Sequence, residues 1–368
     1  MRVLLVTGSY PPMACGVGDY TRSLAQALSL SPGVQVAVLT STEAAATSAN
    51  SGCEVFPIVR DWGEPDRATV EGLARAWRPD IVHVQFPTLG YRGALAPRLP
   101  SLFGKMGLPV VQTWHEYFPL YFPVRVGMLE RLAMGPGLGD VIVVRPGYQR
   151  RMRAWQRVLT AGKRFHLIPN ASSVPRAELS SAERLELRRR YAPDGKALLA
   201  FFGFFFEHKG IDDLLAVMDP AKHQLVLIGE GRESDPYQAE LLRRVRGPLA
   251  SSVSEAGFLP PEEVARLLAV ADAVVLPFRN GGGSWNTSIQ AGTLQGTFVL
   301  TTSNERHGLD PHRNVYYARP GDIDDLRRGL ESHLGRRNHG PPPDPTWPEI
   351  ASRHIEVYQS QRRGQPSS

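Results

Sequence analysis

Apolar runs of strand length recur along the chain, each followed by a turn-rich or amphipathic stretch. In the first half they are Arg2–Thr7, Val34–Leu39, Cys53–Ile58, Ile81–Phe86, Val110–Trp114, Asp140–Val144 and Phe165–Pro169. The more continuous of these read as strands buried on both faces. Within Ile81–Phe86, His83 and Gln85 share one face while Val82 and Val84 share the other. Helical spacing marks Tyr20–Leu28, at Tyr20, Leu24, Ala27 and Leu28, and again Val70–Trp77. An Arg-rich helix is expected from Pro146. Strands alternating with helices predict a parallel sheet.

The polar stretch Ser172–Arg189, with a Ser-Ser-Ala-Glu capping pattern at 180–183, marks a domain boundary. A second series follows, with strands at Leu198–Phe202, Gln224–Ile228, Ala273–Pro277, Thr297–Thr301 and Val315–Tyr317. Helices are expected at Ile211–Met218, Glu262–Val270, Ile289–Leu294 and Ile323–Leu334. Residues 335–346, rich in Pro, Gly and Arg, read as a linker. Trp347–Gln359 reads as a last helix, with Ile350, His354, Ile355 and Tyr358 on one face, and the tail beyond Ser360 is expected to be disordered. The fold class is therefore α/β, with two doubly wound, Rossmann-like domains.

Two glycine-rich loops stand where such folds present backbone to a ligand. The first, Gly8–Asp19, ends with Gly16, Val17 and Gly18 opening the first helix. It is not a dinucleotide fingerprint: Thr21 stands at the third glycine position, and Thr40 and Ser41 close the second strand where an acid is needed. A nicotinamide-dependent oxidoreductase is set aside on that ground. The second loop, Asn280–Ser284, follows the strand Ala273–Pro277. It leads through Asn286, Thr287 and Ser288, three capping side chains, into a helix. Strand, glycine loop and helix N-terminus together make an anion site, because close-packed backbone N–H groups and the helix dipole favour phosphate; an ordinary turn between strand and helix has the same local pattern. His115 and Glu116 lie just past the carboxyl end of a strand, the edge where open α/β sheets bind ligands. His83, in mid-strand, reads as a hydrogen-bonded core histidine.

The 368 residues are too many for one ordinary core. A net charge of +6 permits anionic ligands or an anionic membrane face, and is also what solvated arginines would give. Cys15 and Cys53 share no metal spacing and read as reduced thiols of a cytoplasmic protein. The opening run lacks the basic flank of a signal peptide, and no apolar run reaches 18 residues.

The motifs, in order, are VTGSYPP with CGVGDYT, TWHEY, LIPN, FFGFFFEHKG, GFLPPEEVARLLAVADAVVLPF and GTFVLTT. Along nearly its whole length the chain resembles the retaining glycosyltransferases of the GT-B fold, group 1 (family 4). The resemblance implies two domains facing across a cleft. Residues 1–172 would form the acceptor side, completed by 347–360, and 173–346 would bind a nucleotide-diphosphate sugar, with 361–368 a disordered tail. It implies Gly16 and Gly18 against the donor diphosphate, His115 on the donor sugar near the anomeric centre, and Lys209 paired with the diphosphate.

The chain departs from the family pattern at three places. Phe204 stands where the family has Arg after Gly203, and the family's paired glutamates fall on Gly283 and Ala291, or on Gln290 if one residue is inserted. A carboxylate on a ribose diol makes charge-assisted hydrogen bonds, which Gln290 or backbone groups would replace only in part. The leaving phosphates are then expected to meet Lys209 and the N–H groups around Thr287 and Ser288, with Asn286 or Ser288 donating as well; Gly283 and Ser284 are counted with them as donor-binding residues. Arg279 is placed to replace the charge lost at Phe204, or is a surface arginine. Glu116 is a candidate orienting group. No metal and no cofactor beyond the co-substrate are implied. The implied reaction is metal-independent hexosyl transfer with retention, in bacterial envelope or exopolysaccharide synthesis. The acceptor is a sugar or a lipid-linked saccharide, and no nucleic-acid partner is expected. The basic segment Tyr91–Lys105 would rest on the inner face of a membrane, or pack on the sheet with Arg92, Arg98 and Lys105 solvated. Loss of the Arg and both glutamates also motivates a catalytically inactive relative, acting as a sugar-nucleotide-binding or scaffold partner.

Overall fold

A computed structural model describes residues 1–13, 15–47, 52–115, 138–152, 154–340 and 344–363. The chain divides into two units, Met1–Asn170 with Thr346–Ser368, and Ala171–Pro345.

The first unit is built on a seven-stranded parallel sheet: β1 (Arg2–Val6), β2 (Gln35–Ser41), β3 (Glu54–Val59), β4 (Ile81–Phe86), β5 (Val110–Trp114), β6 (Leu138–Val143) and β7 (Arg164–Leu167). Their spatial order is β3-β2-β1-β4-β5-β6-β7. Val3 to Val6 are fully buried, as a central strand covered on both faces requires. Each such aliphatic side chain contributes roughly 2 kcal/mol by leaving water. The opening helix, Gly16–Ser29, turns Tyr20, Leu24, Ala27 and Leu28 inward. The closing helix, Trp347–Arg363, packs against that same helix, so the chain's last element completes its first unit.

The second unit repeats the winding with β8 (Ala197–Phe202), β9 (His223–Ile228), β10 (Val253–Gly257), β11 (Ala273–Leu276), β12 (Val299–Thr302), β13 (Gly308–Asp310) and β14 (Val315–Ala318). The order is β10-β9-β8-β11-β12-β14-β13, parallel except for β13 against β14. In each sheet the strand order reverses once, between β1 and β4 and between β8 and β11. The carboxyl ends of those strand pairs are the natural ligand edges.

The structure corrects several expectations. Within the segment 335–346, expected as a linker, Arg337 and Asp344 are fastened to the second unit. The Arg337 guanidinium donates to the carbonyls of Ala269 and Ala271 and to Thr297 Oγ1, and Asp344 accepts from Thr293 and Arg313. Composition misled here because arginine serves as readily in a buried fork of hydrogen bonds as in solvent. The closing helix runs to Arg363, three residues into the expected tail, where Gln361 meets Arg164 and Arg362 pairs with Asp80. After β6 the chain makes a short 3-10 turn at Tyr148–Arg151 and then a helix at Ala154–Leu159, not one helix from Pro146. Within Tyr91–Lys105, Leu95, Leu99, Leu102 and Phe103 are buried, Arg92 pairs with Glu43 and Arg98 with Glu64. Among the described residues no helix is long and apolar enough to cross a membrane.

Candidate active site

The predicted residues fall into two sets, one on each unit. On the first, the loop after β1 packs against the loop after β4. A Cβ on Gly90 would collide with the carbonyl of Gly8, and the Gly90 N–H donates to Ser9 Oγ at 2.8 Å. Gly18 is tightly placed too: a Cβ there would stand 3.1 Å from the Ser9 carbonyl oxygen. Gly16 has no atom within 4 Å of where its Cβ would be. It is exposed, and Val17 is half-buried. The helix begins after Cys15 with no side-chain cap on its first turn.

His115 follows β5, its backbone N–H donating to Phe86 O at 2.9 Å. The ring is buried, with Nε2 2.9 Å from Gln85 Oε1. The ring of Tyr20 stands nearly perpendicular to it at 4.8 Å between centroids. Around this pair lies a polar cluster inside the core. Tyr20 Oη donates to His354 Nε2 at 3.1 Å, and His354 Nδ1 donates to the Ile350 carbonyl at 2.8 Å. His83 meets Tyr358 Oη at 2.6 Å, Thr113 Oγ1 at 2.7 Å and Gln85 Nε2 at 3.1 Å. Burial, then the nearby charges of His354 and Arg145, pushes the His115 pKa down to about 3. Burial takes His354 down to about 4 and His83 well below its usual value. All three rings are neutral at pH 7. Among the described residues no group of His, Cys, Asp or Glu is arranged to hold a metal ion. Glu116 lies outside the described residues.

On the second unit, the loop after β8 and the loop after β11 meet at the point where the strand order reverses. Gly203 leaves β8 with φ of 149°, and a Cβ there would lie 3.8 Å from Ser288 Oγ. Lys209 closes a 3-10 turn, Glu207–Lys209, with Nζ 4.9 Å from the Phe278 ring centroid. The Arg279 N–H donates to the His208 carbonyl at 3.0 Å, tying the two loops together. The Arg279 guanidinium itself is engaged by Glu207 at 2.6 Å and Asp212 at 2.9 Å, so its charge is largely met within the protein.

Gly282 donates to the Thr302 carbonyl, and Gly283 lies under the Trp285 ring. Asn286 stands at the N-cap position of helix Thr287–Leu294 but does not cap it. Its Oδ1 accepts instead from the Gly283 N–H at 2.9 Å, a correction to the capping expected of it. The side chain turns back into the loop and satisfies the Gly283 N–H, as the short polar side chains of turns commonly do. The first-turn N–H groups at Thr287 and Ser288 thus lack a capping side chain. Gln290 is buried and donates Nε2 to the Ser284 carbonyl at 2.7 Å, so its amide holds the loop. Ala291 is fully buried. The structure therefore sets Gly203 beside Ser288, and carries Lys209 and Arg279 on the two loops that follow the adjacent strands β8 and β11. It directs Gln290 and Ala291 into the packing.

Sequence reasoning missed the partners of His115. His83 and Gln85 sharing a strand face was the available signal; Tyr20, His354 and Tyr358 read only as apolar-face residues.

Comparison with known proteins places this geometry in a family. A profile described as Glycosyltransferase Family 4 matches residues 14–173, and one described as Glycosyl transferases group 1 matches residues 196–335. A GDP-mannose-dependent alpha-mannosyltransferase of Mycolicibacterium smegmatis is 25% identical over 318 residues, covering 74% of this chain and 78% of that protein. The Anabaena protein HepE, crystallised with UDP and glucose, superposes with a TM-score of 0.71 at 16% identity, over 98% of this chain and 100% of the other. A glycosyltransferase from Rickettsia africae gives 0.72 at 10% identity, over 99% of both chains. Both family profiles in order, spanning most of the chain, and two sheets wound as in these structures establish that the chain belongs to the group 1 glycosyltransferases of the GT-B fold.

Proposed function

We propose that the protein transfers a hexosyl group from a nucleoside-diphosphate sugar to a hydroxyl acceptor with retention of configuration. The observation that carries this is the placing of Gly203 beside the uncapped start of helix Thr287–Leu294, with Lys209 on the same loop as Gly203, at the carboxyl edge between β8 and β11. That edge offers backbone N–H groups and one ammonium to a diphosphate. In the step, the bond between the anomeric carbon and the phosphate oxygen breaks, and its electron pair leaves with the diphosphate. The acceptor oxygen bonds to the anomeric carbon on the same face, and its proton passes to the leaving phosphate oxygen. Lys209 and the N–H groups of Thr287 and Ser288 stabilise the charge that builds on the leaving group. His115, being neutral, serves as a hydrogen-bonding partner of the sugar and not as a cation. Gly16 and Val17 offer a second, smaller set of N–H groups. GDP-mannose is the donor we favour, on the strength of the mannosyltransferase relative.

Thermal melting of the purified chain with UDP, GDP, ADP, TDP and CDP, with and without Lys209→Ala, tests the reading. A ligand that binds only the folded state raises the melting temperature by mass action. The expected result is a shift with GDP that the variant loses. No shift with any nucleotide at millimolar concentration overturns donor binding. A competing reading, a non-catalytic sugar-nucleotide-binding partner, is favoured by the missing carboxylates: Gly283 lies under Trp285 and Gln290 is tied to Ser284. Release of mannose or its transfer from GDP-mannose, abolished by His115→Ala, would remove it.

A further inference from the structure

We propose that the closing helix, Trp347–Arg363, is a positioning element of the active site: through His354 and Tyr358 it holds His115 in one orientation and one tautomer. The proposal rests on the reading of His115 as a group that meets the sugar.

Two arms connect the helix to His115. In the first, the Ile350 carbonyl can only accept, so the hydrogen of neutral His354 sits on Nδ1. His354 Nε2 is then an acceptor and takes the Tyr20 hydroxyl at 3.1 Å. Tyr20, fixed at its far end, sets its ring edge-on against His115. In the second arm, Gln85 Oε1 lies 2.9 Å from His115 Nε2 and accepts its hydrogen. The Gln85 amide nitrogen faces His83 Nε2 at 3.1 Å and donates to it, as does the Thr113 hydroxyl at 2.7 Å. Neutral His83 therefore carries its hydrogen on Nδ1 and donates to Tyr358 Oη at 2.6 Å.

The consequence at His115 is specific. With Nε2–H committed to Gln85 and the backbone N–H committed to Phe86, Nδ1 is left as an acceptor with no side-chain partner among the described residues. An acceptor nitrogen held still suits a sugar hydroxyl, whose proton it would take in a hydrogen bond. Tyr358 acts on His115 only through His83 and Gln85. A network that merely filled the core would not transmit a change at Tyr358 to the proton on His115.

Nitrogen NMR of the full chain, ring-labelled at histidine and assigned with His115→Gln and His83→Gln, reads each tautomer directly. The wild type is expected to show His115 as the pure Nε2–H form. Tyr358→Phe removes one oxygen and frees His83 to move its hydrogen to Nε2; Gln85 then turns over and His115 becomes a mixture of tautomers. Gln85→Met, should Tyr358→Phe fail to fold, gives the same mixture by removing the acceptor. His115 as the Nδ1–H form in the wild type, as pure Nε2–H in folded Tyr358→Phe, or, where that variant does not fold, as pure Nε2–H in Gln85→Met, overturns the proposal. The readout needs no donor sugar, so a failed transfer assay and a failed clamp are separate results.

Discussion

Gly210 is pressed against Pro277: a Cβ on residue 210 would collide with the Pro277 carbonyl oxygen, just past the end of β11. The backbone there is left-handed, with φ of 70°. Gly210→Ala therefore meets both a steric and a conformational penalty, and is expected to cost at least about 2 kcal/mol. Urea unfolding measures it. Because Lys209 is the preceding residue, nucleotide binding should weaken by more than the stability loss alone explains.

The two glycines that open the first helix should part company. Gly16→Ala adds a methyl to open space in a helix and is expected to leave stability unchanged or raise it by up to about 0.5 kcal/mol. Gly18→Ala brings a methyl to 3.1 Å from Ser9 O and should lower stability by about 1 kcal/mol. Thermal melting of both variants decides this. A loss of nucleotide shift in the stable Gly16→Ala protein would mark the loop as part of the donor site.

Acid should unfold the first unit through its histidines. His83, His115 and His354 are held neutral in the fold, whereas in the unfolded chain each takes a proton below about pH 6.5. The unfolded state then binds more protons, so stability present above pH 6.5 is lost as pH falls toward the folded values, about 4 for His354 and about 3 for His115. The slope is up to roughly 1.4 kcal/mol per pH unit for each histidine. Urea midpoints at pH 7.5, 6 and 5 should fall steeply, and less steeply in a folded His354→Gln variant.

Arg337 replaces a solvent-facing linker with a fastening. Arg337→Met leaves the Ala269 and Ala271 carbonyls without this donor and is expected to cost about 2–3 kcal/mol. Arg337→Lys should recover less than half, since an ammonium cannot span the three acceptors as a planar fork does. Paired denaturation curves give both numbers.

Arg279 is a milder case. Its partners Glu207 and Asp212 are solvent-accessible, and Arg279→Ala should change stability by less than about 1 kcal/mol. It should also reduce the nucleotide shift less than Lys209→Ala does. An equal reduction would mean that the guanidinium leaves its carboxylates for the phosphate.

Sequence and structure agree best where one physical signal dominates. β4 at Ile81–Phe86 and β5 at Val110–Trp114 are legible to the residue, because short runs rich in β-branched and aromatic residues, bounded by turn residues, admit little else. The edge strand Gly308–Asp310 is three residues of mixed polarity and carries no such signal. Helix Pro236–Arg246 has start signals in Asp235 and Pro236, but its apolar positions are sparse among arginines and give no clear helical period. At the site, position past a strand end was enough to single out His115. Its setting was not legible, because His83 and Tyr358 meet across 275 residues, and nothing local in either segment specifies the other.

The return of the closing helix to the first unit fixes an order of events during synthesis. Residues 1–170 leave the ribosome first, yet Tyr20 and His83 await partners at His354 and Tyr358. The second unit, Ala171–Pro345, is contiguous and can close as soon as it emerges. The usual vectorial rule, in which the N-terminal domain folds first, is thus inverted for final packing. A chain that ends before residue 346 carries every residue of the C-terminal unit, Ala171–Pro345, but leaves the N-terminal one with an open polar seam.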